Sequence, residues 1–147
     1  MSQEEKDNTY MQQAIALAKK GAQAGEVPVG ALLVHGERIV GEAYNSVETY
    51  KDPTAHAEMQ VLRQGCQQLQ SKYLITSTLY TTLEPCPMCA MACYWTQVGR
   101  IVYAVTDPKR GYSLYHHRLI HPKTTIVHGP CAYESRFLLQ EFFRALR

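Results

Sequence analysis

No apolar stretch in this 147-residue chain approaches the length needed to cross a bilayer. The first residues, Met1 to Asp7, are polar and acidic, without the layout of a secretory signal or transit peptide. The expectation is a cytoplasmic protein with no membrane partner. Internal repeats, low-complexity tracts and linkers are also missing, which excludes solenoids and tethered modules and leaves one domain over residues 1–147. Charged residues make up only 19% and hydrophobic ones 46%, the balance of an ordinary globule and not of a disordered chain. Acids are absent between Pro108 and Tyr133, where Lys109, Arg110, Arg118 and Lys123 alternate with Tyr112, Tyr115, His116, His117 and His121. Cations with flat rings suit a nucleic-acid groove, because phosphates need charge and splayed bases need stacking faces. A solvated loop that happens to lack acids is the competing reading. The net charge of +2 names no partner by itself.

Cysteine is present five times, as Cys66, Cys86, Cys89, Cys93 and Cys131, an odd number with two close-set members. In a cytosolic chain such spacing reads as metal ligation before disulfide pairing.

Periodicity gives an alternation of helices and strands. A helix is expected over 9–24, capped by Asn8, with Met11, Ala14, Ile15, Ala18 and Ala22 on one face. Val29 to His35 and Arg38 to Tyr44 read as a hairpin turned at Gly36-Glu37. A second helix should start after Pro53-Thr54, capped by Thr54, and reach Leu69. Strands follow at Thr78–Leu83, Arg100–Val105 and Thr124–His128, with helices over 87–97 and from Ala132 to Leu146. The fold class is therefore α/β: a three-layer α/β/α arrangement around a mixed sheet, mixed because one connection is a hairpin.

His56-Ala57-Glu58 and Pro85-Cys86-Pro87-Met88-Cys89 carry the chemistry. One imidazole and two thiolates bind zinc at three positions and leave the fourth for water. Both halves fall at the first turn of a helix behind a proline, where free N–H groups favour thiolate over thiol. Cys86 and Cys89 share a helical face. A structural site needs four closed ligands and has no use for a carboxylate such as Glu58. Glu58 is placed to take a proton from water and return it to a ring nitrogen and then to a departing amine. A closed site with Cys93 as fourth ligand would require a thiolate one helical turn, about 5.4 Å, further on. Cys66 and Cys131 read as small buried fillers. His116, His117 and His121 show no spacing diagnostic of a second metal.

The pair HAE and PCPMC resembles the zinc-dependent cytidine and nucleobase deaminases, whose H-x-E…P-C-x-x-C signature and proton-shuttling Glu are known marks of that family. Within it the chain is most similar to the bacterial tRNA-specific adenosine deaminases. Glu26 to Ala31, Asp52 to Glu58, Leu79 to Cys89 and Leu138 to Arg144 carry that similarity. The resemblance implies a cytidine deaminase-like fold with a five-stranded mixed sheet, a homodimer, and adenosine-to-inosine conversion at a tRNA wobble position. It implies one Zn2+ per chain on His56, Cys86 and Cys89, and Glu58 as proton shuttle. Asn45, which also reads as a turn residue, matches a substrate-contacting asparagine. Backbone groups near Ala57, Leu83 and Glu84 would bracket the base. Phe142 and Phe143 match aromatic positions near the substrate, and read equally as core residues of an amphipathic helix.

Two departures keep an alternative open. The segment Asp107-Pro108-Lys109-Arg110-Gly111-Tyr112-Ser113-Leu114 is two residues shorter than the pattern usual in the tRNA enzymes and carries Tyr112 where a small residue is usual. Met91 replaces a common glycine. Tyr94-Trp95 is similar to guanine deaminases, and Leu79 to Leu83 to cytosine deaminases. The alternative is deamination of a free base or nucleoside such as guanine or cytosine.

Overall fold

Ser2 starts the first helix. In the computed structural model, which describes residues 1–146, helix α1 spans Gln3–Gln23. The Glu5 amide donates to the Ser2 hydroxyl at 3.1 Å, and the Ser2 amide to the Glu5 carboxylate at 3.3 Å, completing a capping box. The helix therefore begins before residue 9, and Asn8 lies inside it, not at its cap. The apolar stripe of Met11, Ala14, Ile15 and Ala18 is buried as expected, but its first buried member is Asp7, which apolar periodicity passes over.

Strands β1 (Gly30–His35) and β2 (Arg38–Tyr44) form the hairpin, with Gly36 at φ 64° supplying the turn that an L side chain resists. A short helix α2 (Val47–Tyr50) follows, closed by Lys51 in a left-handed conformation, and periodicity did not foresee it. Helix α3 spans Ala57–Leu69 with His56 as its N-cap residue. Thr54 is not the cap: its hydroxyl and amide are drawn to the Asp52 carboxylate at 2.7 and 2.8 Å, which holds the lead-in as a turn. Strand β3 (Ser77–Leu83), helix α4 (Pro87–Thr96), strands β4 (Arg100–Val105) and β5 (Thr125–His128) and helix α5 (Ala132–Ala145) match their expected bounds to within one residue.

The five strands form one sheet in the order β2-β1-β3-β4-β5. Strand β1 runs antiparallel to β2 and β3, whereas β3, β4 and β5 run parallel, so the sheet is mixed. Alternate residues feed two cores. Ala31, Leu33, Leu79 and Ile101 meet Val61 and Leu62 of α3 and Cys93 of α4. Leu32, Val34, Tyr80, Val102 and Ala104 meet Met11 and Ala14 of α1 on the opposite face, with Cys131 beside them. Covering both faces is why these strands read as nearly continuous apolar runs. Leu32 and Leu33, adjacent on β1, are both fully buried on opposite faces, each contributing about 1.5–3 kcal/mol.

This topology defines the end of the molecule that carries the chemistry. Because β3 and β4 are parallel, their carboxyl ends lie side by side, tied by the Glu84 amide donating to the Val105 carbonyl at 2.9 Å. Open α/β sheets present their ligand sites at such carboxyl ends.

Candidate metal centre and active site

Two helix N-termini converge at that end. His56 caps α3 and Cys86 caps α4, both in extended backbone, and Cys89 lies in the first turn of α4. Pro87 at the start of α4 sacrifices an amide that has no helical partner in any case. His56 is tethered from behind: its amide donates to the Thr54 carbonyl, and the Gln60 side chain bridges the carbonyls of Tyr44 and Ala55 at 2.9 and 3.1 Å.

The His56 Nδ1 lies 3.5 Å from the Cys89 Sγ and 3.7 Å from the Cys86 Sγ, and all three ligand atoms fall within 4.8 Å of one another. Tetrahedral zinc, with sulfur at about 2.3 Å and nitrogen at about 2.0–2.1 Å, requires a sulfur–nitrogen edge of about 3.6 Å. The donor triangle therefore fits zinc in kind and in size, and His56, Cys86 and Cys89 could hold the ion. Cys93 lies outside this group, fully buried, and burial pushes its thiol well above the ordinary range. Neither His116, His117 nor His121 joins a metal-binding group among the described residues. His116 and His121 instead accept the Arg118 and Lys123 amides through Nδ1 at 3.0 and 3.1 Å.

Charge is already arranged for a cation. The hydrogen bond from Cys89 and that from His56 hold the Cys86 thiol down to about 4 despite burial. The Cys89 thiol, sharing its proton with Cys86 and buried, is pushed up. The hydrogen bond to Cys86 raises the His56 ring. Glu58, in the first turn of α3 and 4% exposed, has its carboxyl pushed up to about 7 by burial, against the lowering by its own amide and by His56.

The other expected residues are brought to the same end with different standing. Asn45 follows β2, its amide donating to the Val29 carbonyl at 2.9 Å, and its Oδ1 is buried without any protein donor. Ala57 is fully buried at the start of α3. The Leu83 carbonyl accepts the Thr81 hydroxyl at 3.1 Å. The Glu84 amide is committed to Val105, and its side chain is turned towards residues 107–113, so only its carbonyl is left for a substrate. Phe143 is 46% exposed and packs edge-to-face with the half-buried Phe142, with ring centroids 5.5 Å apart. Exposure at this level removes the core reading for Phe143. Cys66 and Cys131 are half-buried and not enclosed fillers; Cys131 caps α5 in a left-handed conformation, φ 60°.

Two residues that periodicity passed over support the site. Glu26, fully buried, accepts the Glu48 amide at 3.1 Å and the Thr49 amide and hydroxyl, each at 2.7 Å, and so fixes α2 just beyond Asn45. Gln60 ties the β2 end to the His56 lead-in. An acid inside the apolar run Glu26-Val27-Pro28-Val29 was the available signal for the first; nothing in the sequence marks the second.

A mixed five-stranded sheet with an imidazole–dithiolate triangle and a buried carboxylate defines a class, the zinc-dependent hydrolytic deaminases. Residues 4–105 match the family model of the cytidine and deoxycytidylate deaminase zinc-binding region, and the chain belongs to that family. A tRNA-specific adenosine deaminase of Bacillus subtilis is 42% identical over 147 aligned residues, covering 96% of this chain and 91% of its own. A solved tRNA:A34 deaminase superposes with a TM-score of 0.82 at 33% identity, covering 89% of this chain and 99% of its own. The guanine deaminase of Bacillus subtilis superposes with a TM-score of 0.65 at 40% identity, over 72% of this chain and 66% of its own.

Proposed function

We propose that this chain converts adenosine to inosine within tRNA, with His56, Cys86 and Cys89 holding zinc and Glu58 moving the protons. The observation that carries the chemistry is the donor triangle, with sulfur–nitrogen edges of 3.5 and 3.7 Å, beside a buried carboxylate. Zinc, when bound, supplies the Lewis acidity that makes water nucleophilic near neutral pH. Glu58 takes one proton from the attacking water and gives it to the ring nitrogen as the C–O bond forms. It then carries the remaining hydroxyl proton to the amine, and the C–N bond breaks to leave a carbonyl and ammonia. Asn45 offers a buried acceptor to a donor on the substrate. Backbone groups at Ala57, Leu83 and the Glu84 carbonyl border the base.

The RNA assignment is supported by the relatives' activity and by the surface. Lys109, Arg110, Arg118 and Lys123 are all exposed, and among the described residues none forms an ion pair. Tyr115 and Phe143 are exposed stacking faces. Unpaired cations and exposed rings on the surface fit a polynucleotide better than a neutral base. Action on tRNA fits a cytoplasmic enzyme, and no helix among the described residues is long and apolar enough to cross a membrane. A homodimer is supported by an open apolar groove of about 420 Å3 between α3 and α4, lined by Met59, Leu62, Cys66, Ala92 and Trp95, with Trp95 72% exposed.

Deamination of free guanine is the second reading, favoured by the 40% identity to a guanine deaminase and by the short 107–114 segment. Incubating zinc-loaded protein with a tRNA pool and with a panel of bases and nucleosides separates the two. Inosine in tRNA is expected; ammonia from guanine or cytosine with no inosine would overturn the proposal. Reversing charge at Lys109 and Arg110 should reduce the salt slope of RNA binding by about one for each phosphate that these side chains neutralise, and leave free-base turnover alone.

A further inference from the structure

Both ends of the segment after β4 are held by one buried side chain. Glu84 is 2% exposed and, among the described residues, pairs with no cation. Its Oε1 accepts the Asp107 amide at 3.0 Å and its Oε2 the Ser113 amide at 2.9 Å, so one carboxylate grips both ends of the segment. Between them the Gly111 backbone crosses so close that a Cβ there would overlap the Glu84 Cδ and stand 2.5 Å from each carboxylate oxygen. Gly111 has φ −65°, so it is required for space and not for conformation. The Tyr112 amide donates to the Pro85 carbonyl at 2.9 Å, and the Tyr112 ring is buried against Tyr103 and Ala90. Pro85 directly precedes Cys86. Inside the segment, the Asp107 carboxylate accepts the Lys109 and Arg110 amides, both at 3.0 Å, forming a tight turn that presents both basic side chains to solvent.

We infer that Glu84 is a positioning residue that sets the 107–113 segment, with Lys109 and Arg110, at a fixed height against the turn bearing Cys86, and so governs which substrate the site admits. Two backbone amides on two oxygens form a specific joint: an amide side chain offers one acceptor oxygen and one donor nitrogen and cannot serve both ends. The bond from Tyr112 to Pro85 transmits that height to the residue next to Cys86. Loss of the clamp should loosen substrate placement and leave the donor triangle and Glu58 in place.

This inference rests on the deaminase reading of the site, and its test includes a measurement that needs no substrate. In zinc-loaded Glu84→Gln, one side-chain NH2 must face a backbone N–H, so one end of the segment is released. Hydrogen exchange at the Asp107 or Ser113 amide should quicken at least about tenfold, with zinc content unchanged. With an anticodon stem-loop RNA bearing adenosine, KM should rise about tenfold while kcat falls by less than about threefold. Glu84→Asp, which keeps both oxygens and the charge, should recover part of the KM. Should Glu84→Gln fail to fold, Gly111→Ala strains the same contact from the loop side and should give the same KM-weighted loss. Unchanged exchange in both variants, or a loss confined to kcat, overturns the inference. If the wild type deaminates guanine and not RNA, the substrate assignment fails, while exchange and the KM for guanine still judge the clamp.

Discussion

Glu58 and Glu26 are buried to nearly the same depth, 4% and 0% exposed, and are surrounded in opposite ways. Glu26 accepts two backbone amides and a hydroxyl from α2; burial alone would raise its carboxyl, but those donors hold it below the usual carboxylate range. Glu58 receives no backbone amide from another segment among the described residues; burial outweighs its own amide, His56 and the Thr81 hydroxyl and pushes it up to about 7. A buried carboxylate saturated by donors is a fixed anion that shapes the backbone around it. One whose donors are too few to offset burial can exchange a proton. Depth alone therefore does not distinguish architecture from chemistry; the donors do. Glu84 resembles Glu26 in geometry, since both its oxygens are taken by amides.

The largest effect should come from exchanging these environments' outcomes. Glu58→Gln is expected to lower the deamination rate by about 10²–10⁴. The thermal midpoint should hold or rise, because a neutral amide relieves the cost of burying charge. Zinc content should be unchanged, which metal analysis checks. Glu26→Ala should do the reverse. It strands the Glu48 and Thr49 amides and should cost about 2–5 kcal/mol in urea denaturation, with kcat/KM at low temperature falling less than about tenfold. If Glu58→Gln unfolded the protein and Glu26→Ala silenced it, the distinction would collapse.

Asp7 tests the comparison with a cation added. Its carboxylate receives Arg100 through two bonds, at 2.8 and 2.6 Å, and the Tyr80 hydroxyl at 2.7 Å. Burial would raise it, but Arg100, Tyr80 and Gln3 together hold it below the usual range. With the folded value below the unfolded one, near 3.9, this stabilisation is fully present above that pH and is lost as pH falls through the folded value. Urea midpoints measured from pH 7 to pH 2 should therefore fall more gently for Asp7→Asn than for wild type at the acid end, from a lower starting stability. A parallel fall in both proteins would remove Asp7 from the saturated class.

The same contrast explains what could be read in advance. Strand bounds were legible because two buried faces impose apolar runs ending at turn residues such as Gly36, and the donor triangle because HxE and CxxC each sit at a helix start after proline. The start of α1 was passed over although its signal is local: Ser2 and Glu5 form the capping box. Apolar periodicity begins only at Met11, because the stripe's first buried member is Asp7, whose partner Arg100 is 93 residues away. The side-chain roles of Glu26 and Glu84 were passed over for a related reason. A charged residue in an apolar run signals something, but its donors lie 22–29 residues along the chain, in segments whose position only the folded sheet determines. Local pattern carries local structure and ligand identity; it does not carry which long-range amide finds which carboxylate.

Asn45 gives the smallest and sharpest test, because it is an unsatisfied group without charge. Its Oδ1 is buried with no donor, which costs free energy in the free protein unless a partner arrives. A residue kept only to shape the turn after β2 would be expected to have that oxygen satisfied. Asn45→Ala should leave urea stability within about 1 kcal/mol of wild type, since no protein hydrogen bond to the side-chain oxygen is removed. It should raise KM about tenfold, the value of one uncharged hydrogen bond made to substrate. A stability loss with unchanged KM would put Asn45 with Glu26, among the residues that build the wall, and would leave the base to be held by backbone groups alone.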